Sequence, residues 1–327
     1  MAAVPKRQSR ALCARSLVNV LVTGGAGFIG SHLVERLIEQ GHSVVVLDNL
    51  VTGLRENVHH SARFIEGDII DSEAVARAMN GVEIIFHEAA YRSVTQSIDD
   101  PLSTDRANVE GTLTVLNQAA GRGVRRVIYA SSSSVYGGTA PVPTPEDASL
   151  SPRSPYAVTK LIAEQYLRVF AEIFGLQTIA LRYFNVYGPR QRSDSPYAAV
   201  IPRFVQCLSV GGRPTVHGDG HQSRDFTFVS DVVDANLSAA ATPSNICDGR
   251  AFNVSGGEPQ SILDLLALLG QLSDVEPDPV FAAPRQGDIR HSGADLAAAR
   301  RDLGYVPKVT FHDGLARTLE ERDVNGR

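Results

Sequence analysis

The sequence predicts a doubly wound α/β fold, in which helices cover a parallel sheet, followed by a smaller C-terminal α/β lobe. From Leu17 onwards, short apolar segments alternate with helical stretches, and most of these segments are rich in β-branched residues without strict alternation. A glycine-rich turn joins the first strand to the first helix. Such alternation is typical of βαβ units, and continuous apolar strands are typical of sheets that are covered on both faces.

Six short apolar segments are predicted as strands of this sheet. They are residues 19–23, 43–47, 63–66, 83–87, 126–130 and 178–183. The stretches between them carry apolar residues on one helical face, as amphipathic helices do. These faces are Leu33, Leu37 and Ile38, then Val109, Leu113 and Leu116, and then Ile162, Tyr166, Val169, Phe170 and Ile173.

The chain changes character twice after the fifth predicted strand. Residues 137–155 contain five prolines and therefore predict a long loop before a helix. Beyond Gly188 the regular alternation fades, with helices predicted near 262–269 and 295–303. We therefore predict three parts: a disordered basic tail at 1–16, a first domain at 17–188, and a lobe at 189–327 that is interleaved with the first domain.

Composition limits the classes of partner. The chain has 327 residues and a net charge of −5, so it lacks the basic field that attracts nucleic acid or anionic membranes. Three separated cysteines form no zinc or disulfide pattern, which predicts reduced, cytoplasmic thiols, and no metal site is expected. No stretch approaches 18 consecutive apolar residues, so no membrane span is predicted.

The turn after the first strand predicts a dinucleotide site of the Rossmann type. Gly25, Gly27 and Gly30 have the spacing that lets backbone approach a pyrophosphate at a helix N-terminus. Asp48 ends the next strand, where a carboxylate accepts both ribose hydroxyls and repels a 2′-phosphate, so NAD is favoured over NADP. The residues assigned to NAD here are Gly24, Gly27, Phe28, Ile29, Gly30, Asp48 and Asn49.

A phenol and an ammonium lie one helical turn apart in Tyr156-Ala-Val-Thr-Lys160. A free phenol has a pKa of about 10, and a nearby cation favours its phenolate, which makes this tyrosine a candidate base. Four serines, residues 131–134, follow the fifth predicted strand at the edge where such sheets bind ligands. One or two of them are expected to contact substrate, and the others to satisfy the local backbone.

Five motifs together resemble the extended short-chain dehydrogenase/reductase family, and within it the UDP-sugar 4-epimerases. They are TGGAGFIG at 23–30, HEAA at 87–90, SSSSVYG at 131–137, YAVTK at 156–160 and RYFNVYGPRQ at 182–191. The resemblance extends over nearly the whole chain from Leu17. It implies that Ser132 and Tyr156 act on the sugar 4-hydroxyl, assisted by Ser133. It also implies that Lys160 holds the nicotinamide ribose, and that Asp68 and Ile69 meet adenine.

The same resemblance implies a UDP-sugar substrate held mainly by the later residues. The implied contacts are Asn185 to the diphosphate, the segment from Val200 to Phe204 to uracil, and Arg224, Arg285 and Asp288 to phosphate and ribose. The implied reaction oxidises carbon-4 to a transient ketone, lets the sugar turn about the diphosphate, and reduces the other face. A homodimer through helices near 107–121 and 156–174 is implied as well.

The sugar is less closely specified by the sequence. Arg192 resembles the uronate-specific branch and offers a cation for a 6-carboxylate, so conversion of UDP-glucuronate to UDP-galacturonate is favoured. Against this preference, Arg192 has Asp194 as an alternative partner at the surface, and Asn185 is typical of glucose-type enzymes. The small Ser292 leaves space for an N-acetyl group, so UDP-glucose and UDP-N-acetylglucosamine remain alternatives.

Three other functions are disfavoured. Dehydratases and decarboxylases of this kind carry acidic residues where this chain has Ser133 and Ser134. A non-catalytic NAD-binding sensor on the same fold is disfavoured because both Tyr156 and Lys160 are present.

Overall fold

A parallel sheet of seven strands forms the centre of the computed structural model, which describes residues 17–193, 198–284 and 289–325. The strands of the described residues are β1 (Asn19–Thr23), β2 (Ser43–Asp48), β3 (Arg63–Glu66), β4 (Ile84–His87), β5 (Arg126–Ser132), β6 (Gln177–Tyr183), β7 (Val186–Tyr187), β8 (Thr215–His217), β9 (Ser223–Asp225), β10 (Thr227–Phe228), β11 (Asp248–Val254), β12 (Pro259–Ser261) and β13 (Val280–Ala282). The order in the central sheet is β11-β6-β5-β4-β1-β2-β3. This arrangement confirms the predicted fold class.

Helices pack on both faces of the sheet and build the second lobe. Those in the described residues are α1 (Phe28–Glu39), α2 (Ser72–Ala78), α3 (Val94–Asp99), α4 (Pro101–Asp105), α5 (Gly111–Gly121), α6 (Pro155–Phe174), α7 (Val200–Ser209), α8 (Val229–Ala241), α9 (Ile262–Ser273) and α10 (Phe311–Asn325). A π-helical turn at Arg106–Glu110 joins α4 to α5, and another lies at Ala299–Leu303, within the helix predicted near 295–303. No helix in the described ranges is both long and apolar enough to cross a bilayer.

Helix α6 shows how local sequence sets its limits. Ser154 caps its first turn by accepting a hydrogen bond from the amide of Ala157, and Pro155 occupies the first position, where no amide donor is needed. Gly175 ends the helix with a φ of +66°, a conformation that glycine adopts readily. The Pro-rich segment before α6 is a loop, as predicted, so Tyr156 and Lys160 lie in the first two turns of a well-defined helix.

The seventh strand, β11, was missed by the sequence prediction. Its register with β6 pairs Phe252 with Leu181 and Asn253 with Arg182. The strand begins with polar and glycine residues at 248–250, so its apolar run is short, and it follows β6 in the chain only after α7 and α8. Long-range pairing with β6 therefore decides its conformation.

A second, smaller core lies in the lobe after Gly188. Its buried side chains include those of Ile201, Phe204, Phe226, Phe228 and Leu265, together with Tyr187 just before Gly188. The chain after Gly188 also supplies β11 and α8 to the central layers, so its residues contribute to both cores. The division at Gly188 into two functional parts stays a prediction, and the basic tail at 1–16 lies outside the described residues.

The order of the strands determines where a ligand can bind. The chain builds outward from β1 through β2 to β3, and then returns to place β4 on the other side of β1. Loops leave the sheet in opposite directions at this point, which opens a crevice beyond the carboxyl ends of the strands. The glycine turn after β1 and the serines at the end of β5 both face this crevice.

Candidate functional site

A cleft of about 570 Å³ opens at the carboxyl edge of the sheet. It brings together most of the residues singled out in the sequence. Those lining it are Gly24, Gly27, Phe28, Ile29, Gly30, Asp48, Asn49, Asp68, Ile69, Ser132, Ser133, Tyr156, Lys160, Asn185, Arg192, Arg224 and Ser292. Elements that are far apart in the chain thus form one site.

The glycine turn needs glycine at two positions for steric reasons. Gly24 has a φ of +72°, and a Cβ there would lie 2.7 Å from the amide nitrogen of Ala89. A Cβ on Gly30 would overlap the Gly24 carbonyl oxygen, so α1 could not pack this closely on the turn. The result is a concave backbone surface at the start of α1, where helix amides and the helix dipole attract phosphate.

Asp48 ties this turn to β2. Its Oδ2 accepts a hydrogen bond from the amide of Ala26 at 3.0 Å, and its Oδ1 accepts one from the amide of Leu50 at 2.9 Å. Burial raises the pKa of Asp48, whereas these two amides lower it. Beside it, Asn49 Nδ2 donates to Asp68 Oδ2 at 2.7 Å.

These residues fit a dinucleotide. The turn offers a backbone cradle that a side chain would fill, and Asp48 places a carboxylate at the cleft wall where a ribose would lie. Asp68 and Ile69 line the same wall beside Asn49. The donors and acceptors along this wall therefore match a phosphate followed by a nucleoside.

Tyr156 and Lys160 lie on the face of α6 that is turned to the sheet. Lys160 Nζ donates to the carbonyl of Ala130 at 2.7 Å and lies 5.8 Å from the centre of the Tyr156 ring. Burial lowers the pKa of Lys160 to about 8, although the charges of Glu88 and Glu164 raise it. The ammonium is therefore held between the sheet and the tyrosine, within the cleft.

The pKa of the Tyr156 phenol is shifted in both directions by its surroundings. Burial raises its pKa, whereas a hydrogen bond with the Ser132 side chain and the positive charge of Arg92 lower it. From the sequence, the charge that favours the phenolate is expected to come from Lys160. In the fold, the cation that lowers the pKa of this phenol is Arg92, in the loop after β4, and it acts together with the hydroxyl of Ser132 at the end of β5.

Asn108 is a positioning residue that sequence reasoning missed. It lies in the π-helical turn, a feature that is frequent at functional sites. Its Oδ1 accepts from the amide of Tyr91 at 2.8 Å, and its Nδ2 donates to the Tyr91 carbonyl and to Thr159 Oγ1, both at 3.0 Å. The loop after β4 is thereby fixed to α6, one residue from Lys160. The only signal in the sequence is a polar amide within an otherwise helical stretch.

Glu88 and Arg92 also line the cleft and were not assigned from the sequence. Glu88 Oε1 accepts from the Tyr183 hydroxyl at 2.8 Å, and that hydroxyl accepts from Asn236 Nδ2 at 2.7 Å. Burial raises the pKa of Glu88 to about 7, while Tyr183 and Lys160 lower it. Glu88 belongs to the HEAA motif, but nothing in that motif indicates that its second residue faces the cleft.

The lobe side of the cleft is lined by side chains from separate segments. Asn185 has a φ of +31°, unusual for a residue other than glycine, and its Nδ2 donates to the Asp225 carbonyl at 3.3 Å. Arg224 Nη1 donates to the Ser223 carbonyl at 2.8 Å, and Arg192 Nη1 donates to the Thr52 carbonyl at 3.4 Å. Two guanidinium groups and an amide therefore border the cleft on this side.

The structure does not bring every predicted residue to the cleft wall. Phe204 is buried in the core of the lobe and Val200 packs against that core, because α7 turns its apolar face inward; Ala199 lines the cleft instead. Arg285 and Asp288 lie outside the described residues. Within the described ranges, no three His, Cys, Asp or Glu side chains cluster as metal ligands would.

Comparison with known proteins agrees with this geometry. The model of the "NAD dependent epimerase/dehydratase family" matches residues 20–255. The chain is 39% identical over 310 residues to a UDP-glucose 4-epimerase of Mycolicibacterium smegmatis, and this alignment covers 93% of the chain and 98% of that relative.

Two solved structures are similar over almost their full lengths. A UDP-N-acetylglucosamine 4-epimerase from Methanobrevibacter ruminantium, in complex with UDP-N-acetylmuramic acid, has a TM-score of 0.90 and 36% identity, covering 95% of this chain and 100% of that one. A UDP-glucuronic acid 4-epimerase from Bacillus cereus, in complex with UDP-glucuronic acid and NAD, has a TM-score of 0.87 and 31% identity, covering 94% and 99%.

Proposed function

The chain belongs to the NAD-dependent epimerase/dehydratase family, and from this premise we propose that it is a UDP-sugar 4-epimerase. It is an enzyme, and its cofactor is NAD. The observation that carries the proposal is that Tyr156, Ser132 and Lys160 face the same cleft as the glycine turn and Asp48. A base, a hydroxyl donor and a buried cation therefore lie beside a dinucleotide cradle, which is what an oxidation at a sugar hydroxyl requires.

The chemistry is divided between the cofactor and the side chains. When bound, NAD supplies a hydride acceptor for carbon-4 of the sugar. Tyr156 Oη accepts the proton of the 4-hydroxyl, and Ser132 hydrogen-bonds the phenol and orients the hydroxyl. Lys160 contributes a positive charge that favours the phenolate and donors for the ribose beside it. The glycine turn, Asp48 and Asn49 hold the dinucleotide.

Inversion also requires a firmly held nucleotide and a sugar that can turn. Asn185 and Arg224 border the lobe side of the cleft and are proposed to hold the diphosphate, together with Arg285 and Asp288, which lie outside the described residues. Binding energy from the nucleotide then positions a sugar that keeps its rotational freedom. Ser133, directly after β5, assists in orienting this sugar.

The preferred substrate is proposed to be UDP-glucuronate, with UDP-galacturonate as the product. Arg192 supports this preference, because its guanidinium lines the cleft and could pair with a 6-carboxylate. UDP-glucose and UDP-N-acetylglucosamine remain the alternatives. The three relatives described above are named for these three sugars, and their identities to this chain lie between 31% and 39%.

One assay tests the activity and the preference together. The purified protein is incubated with UDP-glucuronate, UDP-glucose and UDP-N-acetylglucosamine in separate reactions, and the products are resolved by chromatography. We expect a 4-epimer from at least one substrate, formed fastest from UDP-glucuronate. If the protein epimerises none of the three substrates, the proposed function is wrong.

A variant tests the sugar preference separately. Arg192→Ala should reduce turnover of UDP-glucuronate much more than that of UDP-glucose, and equal losses would contradict a carboxylate contact.

A homodimer through α5, α6 and the preceding π-helical turn is also proposed. Helix α6 exposes several apolar side chains, including Val158, Val169, Ile173 and Phe174, with Ile173 68% exposed. Light scattering should give the mass of a dimer, and Ile173→Glu should shift it toward a monomer. Val210→Glu, at a 77% exposed apolar residue of the lobe, is the matched control and should leave the mass unchanged.

A further inference from the structure

Arg92 is a cation in the cleft to which neither the motifs nor the comparisons assign a role. It lies in the loop between β4 and α3, and it lines the cleft together with Tyr156 and Arg192. Its side chain makes no hydrogen bond and no ion pair with any residue in the described ranges. Within five positions of Arg92 in the sequence, the only acidic residue is Glu88, whose carboxylate accepts a hydrogen bond from the Tyr183 hydroxyl.

Hydrogen bonds hold the residues on both sides of Arg92, so the position of its backbone at the cleft is defined. Tyr91 exchanges two hydrogen bonds with Asn108, and Ser93 caps α3 by accepting from the amide of Gln96 at 3.1 Å. Helix α3 is itself tied to α6, because Ser97 Oγ accepts from the amide of Tyr156 at 3.1 Å. The loop that carries Arg92 is therefore connected to the catalytic helix at both ends.

Two like charges act on each other at this point of the cleft. Arg92 is exposed at the wall of the cleft that Arg192 and Tyr156 also line. Loss of solvent in the cleft lowers the pKa of Arg92, Tyr156 raises it, and the like charge of Arg192 lowers it. The acidic side chains that line the cleft in the described ranges are Asp48, Asp68 and Glu88, and none of them forms an ion pair with Arg92. The Arg92 guanidinium beside a phenol is therefore a positive charge that a bound anion would stabilise.

The chemistry of the substrate indicates which anion this is. In a hexuronate, carbon-5 joins the carboxylate to carbon-4, so the carboxylate lies next to the hydroxyl on which Tyr156 acts. A carboxylate there would also repel the phenolate of Tyr156, and a neighbouring guanidinium offsets that repulsion. The UDP diphosphate is the other anion of the ligand, but it lies at the far side of the sugar from carbon-4.

We propose that Arg92 and Arg192 together bind the 6-carboxylate of a UDP-hexuronate, so that Arg92 is a specificity-determining residue of this site. This inference rests on the proposed function. Arg92 contacts the carboxylate from the side of Tyr156, and Arg192 from the lobe side. A neutral hexose gains no such contact. Arg92 and Arg192 therefore raise the affinity for carboxylated UDP-sugars over that for neutral ones, and they do not add to the binding of UDP itself.

Direct binding measures this discrimination without turnover. UDP-glucuronate and UDP-glucose are titrated by calorimetry into NAD-loaded Tyr156→Phe protein and into the same protein carrying Arg92→Gln. A hydrogen-bonded charge pair contributes about 1.5–3 kcal/mol, which corresponds to about 10- to 150-fold in affinity. We expect Arg92→Gln to weaken UDP-glucuronate at least about tenfold more than UDP-glucose, and Arg92→Lys to fall between the two proteins.

Several outcomes would overturn the inference. An equal loss of affinity for both ligands would mean that Arg92 contacts the diphosphate or has a structural role. An unchanged affinity for both would mean that Arg92 does not contact the ligand. Arg122→Gln is the matched control: this exposed arginine on the surface after α5 bonds to Gln118, so the ratio of affinities should change less than about twofold. The proposed function fails separately, if the wild-type protein epimerises none of the three UDP-sugars.

Discussion

The two walls of the cleft are built in different ways. The cofactor wall, made of Gly24, Gly27, Gly30 and Asp48, comes from one βαβ unit, and its hydrogen bonds run through the backbone of the turn. The wall proposed for the substrate, made of Arg92, Asn185, Arg192, Arg224 and Ser292, is assembled from four separate stretches of the chain. One wall is a local structure, and the other exists only when the fold is complete.

This difference explains why the cofactor is more firmly specified than the sugar. A backbone cradle depends on steric limits at a few glycines, which leave little room for change. A wall of side chains can change its specificity by a single substitution while the fold stays the same. Relatives with the same fold are accordingly named for three different UDP-sugars.

The largest effect is expected at Tyr156, where the two walls meet. Tyr156→Phe removes the proton acceptor but leaves the ring in place, so turnover should fall by about 10²- to 10⁴-fold, the usual contribution of a general base. The amount of NAD released from the purified variant should equal that of the wild type, because the cofactor wall is intact. Activity near that of the wild type would show that another group accepts the proton.

Arg224→Gln should affect the substrate wall alone. Loss of a charge-assisted contact to phosphate is expected to weaken UDP by about 10- to 100-fold, measured by titration calorimetry. Bound NAD should not change. Arg213→Gln, which removes a surface ion pair with Asp278 at 2.8 Å, is the control and should leave UDP affinity as it is. A parallel loss of NAD would mean that the two walls are not independent.

Gly30→Ala should affect the cofactor wall and the fold together. The new methyl group would overlap the Gly24 carbonyl, so we expect a loss of about 1–3 kcal/mol in the free energy of unfolding and reduced NAD binding. Urea denaturation measures the first effect. Gly121→Ala is the control, because a Cβ there meets no heavy atom within 4 Å. An unchanged midpoint for Gly30→Ala would contradict the close contact between helix and turn.

The smallest effect is expected at Glu88, which acts on the chemistry through Lys160. Burial lowers the pKa of Lys160 to about 8, and the ionised carboxylate of Glu88 keeps it from falling further. Glu88→Gln should therefore lower that pKa further and move the alkaline limb of kcat/KM to lower pH, with less than about a tenfold change near pH 7. An alkaline limb that stays in place, or moves up, would show that Lys160 does not set it. Glu83→Gln, before the other end of β4, serves as the control.

The sequence by itself determined most of the central sheet and the cofactor wall. Six strands lie where the apolar segments predicted them, and the glycine spacing, Asp48 and the Tyr156–Lys160 spacing all map to one cleft. These features depend on neighbouring residues: β-branched runs favour strands, glycine permits a tight turn, and a four-residue spacing places two side chains on one helical face.

The tertiary structure alone decided the rest. β11 becomes a strand by pairing with β6, Phe204 is buried because α7 packs on the lobe, and Asn108 and Arg92 gain their roles from a π-helical turn and a loop beside α6. Each of these depends on contacts between residues far apart in the chain. A pattern read along the chain contains no distances across the fold, so the partners of these residues, and with them the selection of the sugar, follow only from the folded structure.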